Sequence, residues 1–269
     1  MISSKAPFDQ TAAGYDCDFT FSGIGRAQRE IVYDYLEKNI VHGEFRNILE
    51  LNCGTGEDAV FFAKKEFNVL ATDISDEMLK MTEAKVNSAG LKDKICFKKL
   101  DINDIPSANF EKKFDLIFSN FGGFNCISLE KMEELSGSFR RILNPPGRII
   151  LIFMASFTFW EILYFLTKRK LKDAFRRRNK KGINVKLKGS EIHTWYYSPG
   201  EIKKIFAENF KLIGIKPVGF FIPPTYMENF FKRKAGLFQV LKKSERLIKN
   251  ISLLSPFSDH FLIDLEAKR

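Results

Sequence analysis

The chain has 269 residues, 45% apolar and 28% charged, which suits a globular protein with one sizeable core and an elaboration. Its four cysteines, Cys17, Cys53, Cys96 and Cys126, lie far apart. That excludes a paired metal site or a dense disulfide framework and fits a reducing compartment. Residues 1–10 lack a basic region followed by an apolar run, so a cytoplasmic location is expected and no metal is called for. The net charge of +10 leaves nucleic acid, an anionic membrane surface and an acidic substrate open as partners. It is concentrated: residues 168–181 carry nine basic side chains against one acid, and residues 232–249 carry seven against one.

In chain order, residues 22–41 place Ile24, Ala27, Ile31, Val32, Tyr35, Leu36 and Ile40 on one helical face. The pattern then alternates: strand 47–52, helix 57–65, strand 67–72, helix 76–88, strand 94–100, strand 114–119, helix 129–143 and strand 148–154. Such alternation predicts a parallel sheet covered by helices on both faces. Residues 156–177 read as helical, and residues 183–198 as two short strands around Gly189-Ser190. Ser198-Pro199-Gly200-Glu201 is a capping box with proline at the first helical position. Strand 211–218, a mixed apolar and basic region over 222–249, and a strand in "SDHFLIDLEAK" complete the chain. The two late strands predict an antiparallel edge.

Gly54-Thr55-Gly56-Glu57-Asp58-Ala59 fits G-x-G-x-x-A between a strand and a helix, where backbone amides can approach a ligand. A dinucleotide-binding oxidoreductase would use the same turn, with Asp73 on a ribose hydroxyl. Two further acids discriminate. Glu50, four residues before Gly54, would repel a pyrophosphate but suits an ammonium group. Asp101, at the end of the third strand, could accept a hydrogen bond from an adenine amino group. The set suits adenosine with a cationic amino-acid tail, although Asp73 and Asp101 also read as plain helix caps.

Glu50-Leu51-Asn52-Cys53-Gly54-Thr55-Gly56, "VLATDISDEML" (69–79), "LDINDIP" (100–106), "FDLIFSNFG" (114–122) and "ILNPPGRIILI" (142–152) together resemble the successive motifs of class I S-adenosylmethionine-dependent methyltransferases. "FDQTAAGYD" (8–16) resembles the N-terminal lid segment of the branch that includes quinone-biosynthesis methyltransferases. The resemblance covers residues 8–152 and the late-strand layout. It implies an α/β fold: a Rossmann-like doubly wound sheet, mostly parallel with an antiparallel edge strand, helices on both faces, and a lid or substrate insertion. The implied layout is a lid and helix over 1–46, an S-adenosylmethionine-binding core over 47–154, a substrate insertion over 155–198 and a completion of the sheet over 199–269. Glu50 and the Gly54–Gly56 backbone would hold the methionine part, Asp73 the ribose, and Asp101 the adenine amine, with Ile74 and Ile102 on the adenine faces. Asn120 would sit beside the sulfonium. Asn52 departs from the pattern, standing where the family has its first glycine; a left-handed conformation would accommodate it.

The acceptor is less constrained. "NFGGFNC" after Ser119 lacks the prolines of base-amine methyltransferase motifs, and the basic runs lack regular aromatic interleaving, so nucleic acid is disfavoured. The insertion offers Trp160, Tyr164, Trp195 and Tyr197 to a small hydrophobic or aromatic acceptor, or to packing at helical spacing. His193 is the leading candidate for a general base and Tyr15 the second, while His260 reads as part of the last strand. Apolar aromatic stretches followed by Lys and Arg, twice, suit peripheral contact with an anionic membrane or a solvated basic face. An NAD(P)-dependent oxidoreductase and a non-catalytic membrane-associated nucleotide-binding protein stand as the rival readings.

Overall fold

The computed structural model describes residues 6–187 and 190–269. Seven strands form the main sheet: β1 (Asn47–Leu51), β2 (Asn68–Asp73), β3 (Ile95–Lys99), β4 (Phe114–Ser119), β5 (Leu143–Met154), β8 (Phe210–Val218) and β9 (His260–Ala267). β6 (Ile183–Leu187) and β7 (Ser190–Thr194) form a separate antiparallel hairpin. Gly189, expected at its turn, lies outside the described residues. The main order is β3-β2-β1-β4-β5-β9-β8, parallel from β3 to β5. β9 runs antiparallel to both its neighbours, and β8 is the outermost strand beyond it.

Seven helices are used below: α1 (Gly23–Leu36), α2 (Glu57–Lys64), α3 (Asp76–Ala89), α4 (Leu129–Ile142), α5 (Phe159–Thr167), α6 (Pro199–Phe206) and α7 (Ala235–Ile248). Because both faces of the sheet are covered, β5 reads as one apolar run. Ile149, Leu151 and Phe153 join a core with Phe139 of α4 and Phe206 of α6. Ile150 and Ile152 join the opposite core with Leu36 of α1 and Phe62 of α2. Serines start the helices α1, α3, α4 and α6, each side chain accepting from a first-turn amide. Such caps stabilise by about 1 kcal/mol each. The capping box at Ser198 and Glu201 is complete.

One expected element is broken. The helix over 156–177 ends at Thr167, Arg169 takes a left-handed backbone (φ 57°), and only a short turn, Leu171–Ala174, follows. The cause is Glu161, which is 1% exposed and pairs with Arg176 (2.8 Å) and Arg177 (2.8 Å). A continuous helix would carry those arginines roughly 23 Å away, so the chain folds back to bring them in. Further on, α7 packs through Glu245, whose buried carboxylate accepts from the backbone amides of Gly219, Phe220, Phe221 and Ile222. Among the described residues no helix is long and apolar enough to cross a membrane.

Candidate functional site

Strand order reverses between β1 and β4, so the crevice beyond their C-terminal ends is where a doubly wound sheet places ligands. Asn52 bridges that crevice in a left-handed conformation (φ 50°). Its Nδ2 donates to the Asn120 carbonyl (3.0 Å), and its Oδ1 accepts from the Ser119 hydroxyl. A Cβ on residue 123 would overlap the Asn52 amide at 2.1 Å, so Asn52 is accommodated because Gly123 faces it. The departure from a glycine is thus compensated across the crevice. Gly54 (φ 57°) and Gly56 (φ 78°) then turn the chain into α2, and any Cβ on Gly56 would meet Thr82 at 2.7 Å.

Glu50, on β1, is 2% exposed, and its Oε2 has no hydrogen-bond partner. Burial first, then the nearby Asp58, raises its pKa well above the usual carboxylate range. Arg29 of α1 lies in the same electrostatic cluster. Its Nη1 pairs with Asp58 (2.5 Å), its guanidinium stands 5.0 Å over the Phe121 ring, and its buried Nε has no partner. Asp58 also accepts from the Tyr33 hydroxyl (2.8 Å) and from Asn120 Nδ2 (3.1 Å). An orphaned buried acceptor and an orphaned buried donor in one cluster mark a place built for a ligand. An α-amino acid, ammonium to Glu50 and carboxylate to Arg29, has the complementary charges.

Asp73 ends β2 and accepts from the amides of Gly54 (2.9 Å, Oδ2) and Ser75 (2.9 Å, Oδ1). Burial raises its pKa to about 6 against those amide bonds. Each oxygen keeps a lone pair for a hydroxyl. Ile74, 39% exposed, lines an open cavity of about 740 Å³ with Leu79 and Phe97, which Ala6, Pro7 and Asp9 also line. Asp101 caps a short turn, accepting from Asn103 N (2.8 Å) and Nδ2 (2.9 Å), and Ile102 is buried beside it. A second cavity of about 560 Å³ lies between α1 and β8. The orphaned Glu50 oxygen, rather than volume, singles out the crevice.

The N-terminal segment is fastened over this end of the sheet. Asp9 accepts from Ser75 Oγ (2.5 Å) and Asp16 from Thr55 Oγ1 (2.5 Å), while Lys85 pairs with Asp16 (2.9 Å). Tyr15 approaches Gly54, and burial pushes its phenol up to about 12. A phenol so held favours its protonated form and is placed as a hydrogen-bond donor beside the glycine turn.

The structure does not bring His193 to this cluster. It is exposed on the hairpin, with Nδ1 2.7 Å from Asn184 Oδ1, Nε2 2.8 Å from the Lys181 carbonyl, and its ring against Trp195. Both nitrogens are already engaged, as in a structural histidine. The aromatic acceptor candidates each have contacts of their own within the fold. Tyr197 is core, its hydroxyl donating to the Ile127 carbonyl and its ring edge-on to Phe153. Trp195 is tied by its backbone to Asn125 (2.7 Å). Trp160 donates to the Phe221 carbonyl (3.0 Å) and packs on Phe231, and Tyr164 rests against Tyr226.

His260 is where the sequence reading missed a candidate. It opens β9 opposite Met154, and because β9 is antiparallel it begins where the parallel strands end, at the ligand end. The ring stands edge-on to Phe121 (5.4 Å), next in the chain to Asn120. Its buried Nδ1 is 3.2 Å from Asp259 Oδ2, close enough for an ion pair but not aligned as a hydrogen bond. Asp259 in turn is held by Gln28 Nε2 (3.1 Å) and Arg177 Nη2 (3.0 Å). Although burial acts against it, His260 and Arg177 keep the Asp259 carboxyl well below the usual range. Phe19 of the N-terminal segment also packs edge-on to Phe121 (5.4 Å). Phe19, Phe121 and His260 therefore form an apolar corner beside Asn120.

Comparison with known proteins bears on the fold that carries this arrangement. Residues 48–147 match the family model described as a methyltransferase domain. The putative methyltransferase YqeM of Bacillus subtilis is 32% identical over 116 residues, 43% of this chain and 45% of that protein. The demethylmenaquinone methyltransferase of Clavibacter sepedonicus is 31% identical over 148 residues, 55% of this chain and 56% of that protein. The chain thus spans about half the length of the curated relatives it matches. The structure of an S-adenosylmethionine-dependent methyltransferase from Clostridium acetobutylicum superposes with a TM-score of 0.60 at 15% identity, covering 96% of this chain and 98% of that one. At that identity the likeness is one of fold.

Proposed function

We propose that this chain, whose core is a class I S-adenosylmethionine-dependent methyltransferase domain, binds S-adenosylmethionine at the β1–β4 crevice and passes its methyl group to a small hydrophobic or aromatic acceptor. The observation that carries the reading is the unpartnered, buried Glu50 Oε2 beside the unpartnered Arg29 Nε. Glu50 would take the ammonium and Arg29 the carboxylate of the methionine part. Asp73 would hold the ribose hydroxyls, Asp101 the adenine amine, and Ile74 and Ile102 the adenine faces. The fastened N-terminal segment would cover the donor and exclude water.

When bound, the donor supplies an electrophilic methyl group on a sulfonium. The acceptor's lone pair or carbanion forms the new bond to that carbon as the carbon–sulfur bond breaks, its electrons staying on sulfur. The residues serve chiefly to align the two. Where the acceptor carries a proton, His260 in the Phe19–Phe121 corner is the side chain placed to take it, with the Asp259 carboxylate beside its ring to favour the protonated form. The methylated atom, oxygen, carbon or nitrogen, follows from the acceptor. The quinone ring named by the Clavibacter relative fits an aromatic acceptor in that corner.

Titration calorimetry of the protein with S-adenosylmethionine, S-adenosylhomocysteine and NADH tests the reading. Binding of both adenosyl compounds without NADH is expected. Binding of NADH alone would overturn the donor assignment in favour of a redox enzyme.

A further inference from the structure

The two basic, Phe-rich segments, distant in sequence, meet on one side of the molecule. Trp160 of α5 packs edge-on to Phe231 (5.8 Å), and Tyr164 against Tyr226 (5.4 Å). The helices joined there turn apolar side chains outward. On α5, Phe159 (53% exposed), Leu163 (43%) and Leu166 (43%) follow i, i+4, i+7 spacing, whereas the buried side holds Glu161. With Trp160 packed inward as well, α5 is apolar on both sides, where an ordinary surface helix is polar toward solvent. On α7, Glu245 is buried, with Phe238 and Leu241 packed against a core cluster, while Leu237, Val240 and Leu247 form a second apolar stripe toward solvent. Phe230, 53% exposed, stands in the chain between Tyr226 and α7, beside Phe231.

Charge identifies the occupant. Residues 159–181 carry nine Lys or Arg against two acids, and residues 226–249 carry seven against two. Together these stretches hold more positive charge than the chain's net +10, so the rest is slightly acidic. Arg169, Lys170 and Lys172, and likewise Arg233, Lys234 and Lys243, have no ion-pair partner among the described residues. A surface for another folded protein would not need so many unpaired cations around outward leucines and phenylalanines. An anionic bilayer takes both, apolar side chains below the headgroups and cations among the phosphates.

We infer that the α5–α7 side of this protein is a docking surface for an anionic lipid bilayer. It goes beyond the methyl-transfer reading and does not depend on the acceptor. The surface lies at the ligand end of the sheet. α5 follows the C-terminal end of β5, and Glu228 accepts from the Gly23 and Ile24 amides that start α1 (2.9 Å each). A bilayer held there faces the donor crevice from the side.

The test is co-sedimentation of the full chain with vesicles of phosphatidylcholine alone and of phosphatidylcholine mixed equally with phosphatidylglycerol. Retention on the mixed vesicles at low salt, weakened by added salt, is expected. The double variant Lys234→Gln, Lys243→Gln should weaken partitioning about fivefold per lysine. Leu237→Ser with Val240→Ser should weaken it about tenfold or more. These side chains are exposed, and unchanged S-adenosylhomocysteine binding checks that the variants fold. No retention on either vesicle would overturn the inference. So would retention indifferent to Leu237→Ser with Val240→Ser, or a self-association in sedimentation velocity that this variant abolishes, since a second copy would then cover the face.

Discussion

The end of β1 and the loop over 219–222 each bury a glutamate, and the two are opposites. Glu245 accepts from four backbone amides, so its burial is compensated and it acts as a clasp. Glu50 is as deeply buried and leaves one oxygen without a partner. The difference separates a carboxylate that the fold satisfies from one that it leaves open. Both have raised pKa values from burial, so the shift alone does not distinguish them. The hydrogen bonds each makes without a ligand do.

The largest expected effect breaks the clasp. Glu245→Ala leaves four amides without their acceptor and should lower unfolding stability by about 3 kcal/mol or more, read by urea denaturation. Glu50→Gln should do the reverse, costing about 2–4 kcal/mol of donor affinity by calorimetry while leaving stability unchanged or improved. If Glu50→Gln destabilised as Glu245→Ala does, the contrast would be gone. Glu50 should also lose its proton when an ammonium arrives beside it. Donor binding is then expected to release protons, seen as a binding enthalpy that varies with buffer ionisation enthalpy in wild type and not in Glu50→Gln.

Smaller effects sharpen the comparison. Asp73→Asn should weaken S-adenosylhomocysteine by about 1–2 kcal/mol. Because the folded pKa of Asp73 is raised to about 6 from 3.8, the free protein holds that proton over this interval. Donor affinity should therefore fall as pH drops through 6, and Asp73→Asn should flatten that profile. For stability the sign is opposite: the unfolded chain loses this proton first, so the contribution of Asp73 declines as pH rises from 3.8 to 6. Once an acceptor is in hand, His260→Asn should lower kcat by about a hundredfold while leaving donor affinity intact, whereas His193→Ala should leave kcat unchanged.

Most of the sheet was legible in the sequence because strand and helix periods are local. The places of Glu50, Asp73 and Asp101 at strand ends were legible too, since they close their strands or follow them directly. Even the left-handed Asn52 could be anticipated, though not Gly123 across the crevice, which makes room for it. What the sequence hid was tertiary. Arg29 carries no motif, and only its place on the helix that buries Val32 and Leu36 connects it with the core. His260 read as a strand residue because its meaning depends on β9 entering the sheet antiparallel. His193 looked catalytic from its aromatic neighbours, yet its partners belong to its own hairpin. The break after α5 was invisible because no propensity marks it; the pairing of Glu161 with Arg176 and Arg177 does.

The position of β9 sets an order on how the molecule is made. It follows every other strand in the chain, yet lies inside the sheet between β5 and β8. A ribosome delivers β1 through β4, with the glycine turn and its carboxylates, long before residues 260–267 emerge, and N-terminal regions can fold as they appear. Until then β8 has no neighbour to pair with and the outer edge of β5 is open. The nascent chain thus passes through a stage in which the donor crevice can close while the wall bearing His260 has not been synthesised. On the proposed reading, the residues assigned to the donor are made first, and the wall bearing His260 is added with β9.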